Sequence, residues 1–222
     1  MVETVITVEG SGHECDVKIE TWLRDLLPRT PGINRKVMKR EFILAAREFF
    51  ERSLAWRVVI GPKDMRADKK RYIMSPYDAY ADIVRVLSVE LNTFPLAAAT
   101  RRPTKPDFSA PSPRLYWLET PDTIRLHPIP NVTQEDALMF SVALTPKQTV
   151  SHLPRIAQTH FYDALLDGAL GRVYSHPAKP YSNPTLGQYH LQRFRAAIGS
   201  FAGLAKAGFT SNAEWRYPRF GK

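Results

Sequence analysis

The sequence predicts an α+β protein: a helical bundle core, an antiparallel β module inserted into it, and an extended C-terminal tail. Three observations carry that prediction. Apolar residues recur at helical spacing in the first quarter of the chain and again near its end; between these stretches the period falls to two and prolines accumulate; and the final residues have no period at all. The divisions that follow are 1–57 and 147–211 for the helical core, 58–146 for the β module and 212–222 for the tail.

Taken in order, Ile19, Trp22, Leu23 and Leu26 share one helical face, with Asp16 as the expected cap and Pro28 as the stop. Residues 28–32, PRTPG, then form a turn. Asn34 is a good N-cap, and from it Met38, Phe42, Ala45, Phe49, Ser53 and Trp56 hold one face for about six turns. Arg47 with Glu51, and Glu48 with Arg52, are i, i+4 charge pairs on that helix.

In the β module, Ile83, Leu87, Val89 and Leu91 are expected on one side of a strand, and Leu138, Phe140, Val142 and Leu144 alternate with Met139, Ser141 and Ala143. Segments 114–119 (RLYWLE) and 123–129 (TIRLHPI) flank Thr120-Pro121-Asp122, which is hairpin-turn chemistry. Residues 101–113, RRPTKPDFSAPSP, hold four prolines and little to bury, so they are expected as an exposed loop.

Helix returns at Pro154, where a first-turn proline is tolerated, and Ile156, His160, Asp163 or Ala164, and Asp167 mark one stripe running to Ser175. After a loop at 176–182, Asn183-Pro184 starts a second long helix that carries Leu186, Tyr189, Phe194, Ala197, Ile198, Phe201 and Leu204 and stops near Gly208. Gly168 and Gly171 in the first helix, and Gly199 and Gly203 in the second, are small residues expected to let helices approach closely. The last fourteen residues, FTSNAEWRYPRFGK, interleave Trp215, Tyr217 and Phe220 with Arg216 and Arg219. That composition suits an anchor buried in a partner's groove, or a tail that packs back on its own domain.

With 222 residues, 44% of them hydrophobic and 24% charged, the chain can bury a real core without disulfide or metal staples. The single cysteine, Cys15, excludes an internal disulfide and any multi-cysteine metal site. No apolar run is long enough for a membrane helix and no secretory signal is read at the N-terminus, so the protein is expected in the cytoplasm when made, with no membrane partner. The formal net charge is +9, and it is concentrated: residues 35–72 hold twelve Lys/Arg against five Asp/Glu, and residues 193–222 six against one. Such segments are either solvated helix faces or surfaces for an acidic partner, nucleic acid being the usual one.

Motifs for chemistry are sparse. His160, Asp163 and Asp167 fall at i, i+3 and i+7, the minimum for a metal site or acid–base pair, but no second cluster at ligand spacing completes them. The alternative is a polar face that pairs with Lys or Arg of a neighbouring helix. Neither GxxxxGK[ST] nor GxGxxG nor GxSxG is present, and Ser151-His152 and Ser175-His176 are adjacent pairs rather than parts of a triad. Cys15 has His13 two residues away and little else that would activate a nucleophile. The expectation is no catalytic residues, no cofactor, no metal and no enzyme activity.

A helix ending in LLPRTPG, a second running FILAAREFFERSLAWR into a β segment, a late ALTP followed by LPR, then LLDGALGRVYSHPAKPYSNPTLGQYHLQRF and a terminal RFG resemble the head-to-tail adaptor (head-completion, or neck) proteins of tailed bacteriophages. The resemblance implies a structural virion protein. It implies a helical core resting on the portal ring at the capsid vertex, about a dozen copies closing into a collar, tail or neck proteins on the other side, and genomic DNA passing through the lumen. It further implies that C-terminal segments dock on the portal, which would fall here to Trp215, Arg216, Tyr217, Arg219 and Phe220. The protein would then reside in the virion neck, after assembly in the host cytoplasm. One departure stands out, since a DNA-conducting lumen is often acidic or neutral and this chain is strongly basic. The competing reading is a sequence-independent DNA-binding protein whose Arg35, Lys36, Lys39 and Arg40 contact phosphates or another acidic partner; a third is a metal enzyme built on His160, Asp163 and Asp167.

Overall fold

Residues 17–76, 79–101, 103 and 112–206 are described by the computed structural model, and the account below concerns them. The chain opens with β1 (Val17–Lys18) and α1 (Glu20–Leu26), followed by a 3-10 turn over Leu27–Arg29. Ile19, not Asp16, occupies the N-cap of α1, and no side chain caps it. Asp16 lies outside the described residues; Ile19 takes the boundary because it is fully buried and its carbonyl accepts from the Trp22 and Leu23 amides.

The long helix α2 (Arg35–Ser53) starts as expected, with the Asn34 side chain accepting from the Lys36 amide at 2.8 Å. Both charge pairs form, Arg47–Glu51 and Arg52–Glu48 at 3.1 Å each. The helix ends at Ser53 rather than continuing through Trp56, because Leu54 adopts the left-handed conformation at φ 52° and turns the chain into the next strand. Trp56 remains in the core, edge-on to Phe50.

The strands that follow are β2 (Arg57–Met65), β3 (Arg71–Ile73), β4 (Ala81–Leu91), β5 (Phe94–Pro95), β6 (Ala97–Ala98), β7 (Leu115–Thr120), β8 (Thr123–His127) and β9 (Gln134–Pro146). They form two four-stranded sheets, in the orders β2-β9-β4-β5 and β3-β8-β7-β6. The expected hairpin is β7–β8, turning at Pro121-Asp122. Pairing is antiparallel throughout except for β6 with β7, which run parallel. In β9, Leu138, Phe140, Val142 and Leu144 are buried as the alternation predicts. In β4 the expected face is wrong in part: Val86, Val89 and Leu91 are buried while Leu87 is only half-buried. Two register irregularities, between Ile83 and Arg85 and between Val86 and Ser88, shift the phase that a strict period of two would keep. Of the proline-rich stretch, 102 and 104–111 lie outside the described residues.

A short β10 (His152–Leu153) returns to pair with β1. The single helix expected from Pro154 is two, α3 (Arg155–Thr159) and α4 (Tyr162–Tyr174), broken at His160 and Phe161. The break has a cause in packing. Phe161 is fully buried, with its ring 4.9 Å from Phe49 and 4.7 Å from Phe201, a placement that a continuous helix does not reach. The last described helix, α5 (Pro184–Lys206), begins as expected, the Leu186 amide donating to the Asn183 side chain at 3.1 Å.

One hydrophobic core runs through both the helices and the sheets. Helix α2 lies against β9, where Arg47 donates to the Pro146 carbonyl at 2.7 Å and Thr145 donates to the Arg47 carbonyl at 3.4 Å. Helix α4 sits deepest among the helices and is tied outward on several sides. Tyr162 donates to Asp25 at 2.6 Å, Tyr174 to the Arg29 carbonyl at 2.8 Å, and Arg172 to Glu48 at 2.6 Å.

The glycines split. A Cβ on Gly168 would stand 2.7 Å from the Phe194 ring and one on Gly171 2.8 Å from Leu191, so the α4–α5 crossing needs glycine there, as expected. Gly199 and Gly203 correct the expectation: nothing lies within 4 Å of a Cβ at either, because they point away from the core. Opposite signs of mutational effect follow. Gly168→Ala should destabilise by about 1 kcal/mol net, overpacking against a buried ring outweighing the helix-propensity gain. Gly199→Ala should stabilise by up to about 1 kcal/mol. Urea unfolding of the two variants measures both, and equal signs would contradict the packing described.

Candidate functional site

The catalytic constellation considered from sequence does not assemble. His160 and Asp163 are exposed on either side of the α3–α4 break, so the stripe that would align them with Asp167 is interrupted. Asp167 is buried and committed elsewhere: it accepts from Nδ1 of His190 at 2.7 Å and from Nε of Arg193 at 3.0 Å, both on α5. This is the pairing with a neighbouring helix given above as the alternative to a metal site. The His190 ring stacks on Tyr174, with centroids 5.8 Å apart, which fixes the imidazole over the crossing. Among the described residues no group of three or more His, Cys, Asp or Glu side chains is arranged to hold a metal ion. Ser151 and His152 meet at 2.8 Å as sequence neighbours. Cys15 is outside the described residues.

The basic quartet sits at the start of α2. Arg35, Lys36 and Arg40 are exposed and Lys39 is half-buried. Arg35 makes a long ion pair with Glu20 at 3.9 Å, mostly in solvent, which contributes little. No acidic residue stands in the first turn. Cations at this end of a helix oppose its dipole by a few tenths of a kcal/mol each, so helix stability does not explain them.

Two surfaces were not singled out by sequence reasoning. Along α5, the outward side exposes Leu186, Tyr189 and Leu204, which were expected on the buried stripe, together with the open backbone at Gly199 and Gly203. The helix carries apolar residues outside its buried stripe as well, among Gln188, Gln192, Arg193 and Arg195, and its period alone did not say which of them face the core. The second surface is a cleft of about 490 Å³ between β2 and β3, lined by Lys63, Arg66, Lys69 and Arg71 with Asp64 as its one carboxylate. Its signal was present in the charge excess of residues 35–72, but those cations come together only after the chain turns between the two strands. The docking residues expected in the tail, Trp215, Arg216, Tyr217, Arg219 and Phe220, lie outside the described residues.

Among the described residues, the chemistry on view is that of surfaces: a basic helix start, a helix face with exposed apolar side chains and a cationic cleft. The family model for the SU10 adaptor protein matches residues 17–216, nearly the whole chain and all three surfaces. The chain belongs to the SU10 adaptor protein family. No curated protein matches it. The resemblance to phage head-tail adaptors carried by LLPRTPG, FILAAREFFERSLAWR and the segments after ALTP is thus borne out at the level of the family, and this adaptor is a structural phage protein of mixed α+β fold. The match takes in Trp215 and Arg216 and leaves residues 1–16 outside it. No described helix of the adaptor is long and apolar enough to cross a membrane.

The two carboxylates of the former constellation should differ sharply. Asp167→Ala should cost about 1–3 kcal/mol by stranding the mostly buried His190 at the helix crossing, whereas Asp163→Ala, on the exposed side, should stay within about 0.5 kcal/mol. Denaturant midpoints of the two variants decide it; equal effects would mean that Asp167 does not tie α4 to α5.

Proposed function

We propose that this adaptor acts by assembly: copies close into a ring that joins the portal at the capsid vertex to tail or neck proteins, and the ring forms part of the DNA passage. The observation that carries the reading is the family match over residues 17–216. Two features support it. The outward face of α5 leaves Leu186, Tyr189 and Leu204 uncovered in the single chain, and such a surface suits a neighbouring subunit. The same helix leads toward the aromatic and arginine-rich tail, where Trp215, Arg216, Tyr217, Arg219 and Phe220 would anchor on the portal. The adaptor would reside in the virion neck and catalyse nothing.

Deleting residues 212–222 should leave the thermal midpoint of the isolated protein within a few degrees but abolish stable attachment to portal-bearing heads, an anchor of this kind contributing about 2 kcal/mol or more per subunit. Native mass spectrometry with and without portal protein reads both the ring and its loss. Unfolding on deletion, or undiminished attachment, would put the docking surface elsewhere.

The second reading, sequence-independent DNA binding, is favoured by the exposed cations at the start of α2. It requires tight binding of random duplex at physiological salt with a log–log salt slope of several units, lost when Arg35, Lys36, Lys39 and Arg40 become Ser. The adaptor reading expects weak, non-stoichiometric binding in that titration.

A further inference from the structure

The cleft between β2 and β3 combines features that a solvated surface does not require. Each of these strands is the edge of its own sheet. On β3 the Lys70 carbonyl accepts from the Leu126 amide at 2.9 Å and the Met74 amide donates to the Asp122 carbonyl at 2.7 Å, so alternate residues face β8. Arg71 and Ile73 therefore aim their backbone groups at the open side. Lys63 crosses from β2 and donates to the Ile73 carbonyl at 2.8 Å, which leaves the Arg71 amide and carbonyl and the Ile73 amide as an open edge among the described residues. Beside that edge Ile73 is 60% exposed.

Charge surrounds the edge. Lys63, Arg66, Lys69 and Arg71 face one lining carboxylate, Asp64, which Arg66 approaches at 3.6 Å. Arg71 is partly engaged with Glu119 at 2.8 Å. Hydrogen bonds from Arg125 above all, and from Arg71, hold the Glu119 carboxyl down at about 2 although desolvation pushes the other way. Lys69 lies over the Tyr72 ring at 5.0 Å. Burial above all, and then the charge of Lys69, lower the Lys63 ammonium below the ordinary lysine range. Guarding an edge against aggregation calls for a lysine or two; it does not call for an exposed Ile73 alongside them.

One segment of the chain itself has the complementary chemistry. Residues 1–16, MVETVITVEGSGHECD, carry Glu3, Glu9, Glu14 and Asp16 and not one Lys or Arg. Six of the seven residues from 2 to 8, Val2, Thr4, Val5, Ile6, Thr7 and Val8, are β-branched, the composition that suits a strand. The C-terminal tail fits poorly, since Arg216, Arg219 and Lys222 would meet like charge. Duplex DNA would satisfy the cations but leave the edge amides and Ile73 unused.

We propose that the acidic N-terminal segment, residues 1–16, of a neighbouring copy adds as a strand to the open edge of β3, its carboxylates against Lys63, Arg66 and Lys69. The neighbour, rather than the same chain, is favoured by reach. β1 begins at Val17 and pairs beside His152, just beyond the Pro146 end of β9, whereas the cleft lies toward Met65, which pairs with Gln134 at the other end of β9. Crossing the length of that strand takes about 40 Å of the roughly 53 Å that sixteen extended residues span, which spends most of the β-branched stretch on the crossing and leaves only about the first four residues to pair. In a ring each subunit would then hand its first residues to the next, a lock between copies that rests on the ring reading above.

A peptide of residues 1–16 tests the contact without needing the ring. Fluorescence anisotropy with the full-length protein should show saturable binding that weakens with salt and falls about tenfold or more in Arg66→Glu/Lys69→Glu. It should fall likewise with a Glu3→Lys/Glu9→Lys peptide, and recover in part when the two reversals are combined. Circular dichroism checks that the variant is folded. For chain assignment, full-length proteins carrying Ile73→Cys or Ile6→Cys, each with Cys15→Ser, are mixed on portal-bearing heads and oxidised. A crosslinked dimer found only in the mixture is expected. Absence of peptide binding, binding indifferent to the charge reversals, preferential binding of random duplex at the cleft, or a crosslink formed only within a doubly substituted chain would overturn the proposal. Ring formation without peptide binding would discard this contact and leave the adaptor reading intact.

Discussion

The ring of Phe49 holds the helical part of this molecule together. Set on the buried face of α2, it meets Phe50 on its own helix, Phe161 at the α3–α4 break, and Phe194 and Phe201 on α5. Aromatic pairs of this kind are worth about 0.5–1.5 kcal/mol each beyond the area they bury. They also impose geometry. The chain gives up helical continuity at 160–161 to bring Phe161 inward, and α5 is oriented by the need to present two rings to the same cluster. The outward face of α5, with its uncovered leucines and tyrosine, is what remains once those rings are committed.

Polar contacts ring this cluster and fix what dispersion leaves free. Asp25, the Arg29 carbonyl, Glu48 and the His190–Arg193 pair take α4 from four directions. Arg47 extends the scheme to the sheets, bonding the end of β9 while pairing with Glu51 on its own helix and lying 3.7 Å from Asp82 of β4. Burial supplies most of the stability, and these directional bonds select one register of helices on sheet.

Much of this was legible in the amino-acid order, and the failures are instructive. Asn34 and Asn183 announced their helices because capping is local chemistry, and Thr120-Pro121-Asp122 announced a hairpin for the same reason. The alternation in β9 was readable because a central strand keeps its phase. Phase was lost in β4, where two irregularities reset it, and helix continuity was overestimated at His160 because no local signal records the pull of Phe49. The glycines divided for a related reason: spacing marks Gly168 and Gly171 no differently from Gly199 and Gly203, and only the position of α5 decides which pair meets a neighbour. Family membership was within reach because it rests on the order of segments along the chain. The cationic cleft was not, since it exists only where two strand edges from different sheets converge.

The glycine crossing of α4 and α5 has a mechanical meaning. At Gly168, Gly171 and Gly187 the side chains of Phe194, Leu191 and Ser175 from the opposite helix seat against bare backbone, each less than 3 Å from where a Cβ would stand. The two helices form a stiff strut. Sliding one helix past the other would unseat all three of those side chains at once, so α4 and α5 move as one body. A rigid pair of this kind passes a force applied at one end to the other without changing its own shape, which suits a structural adaptor.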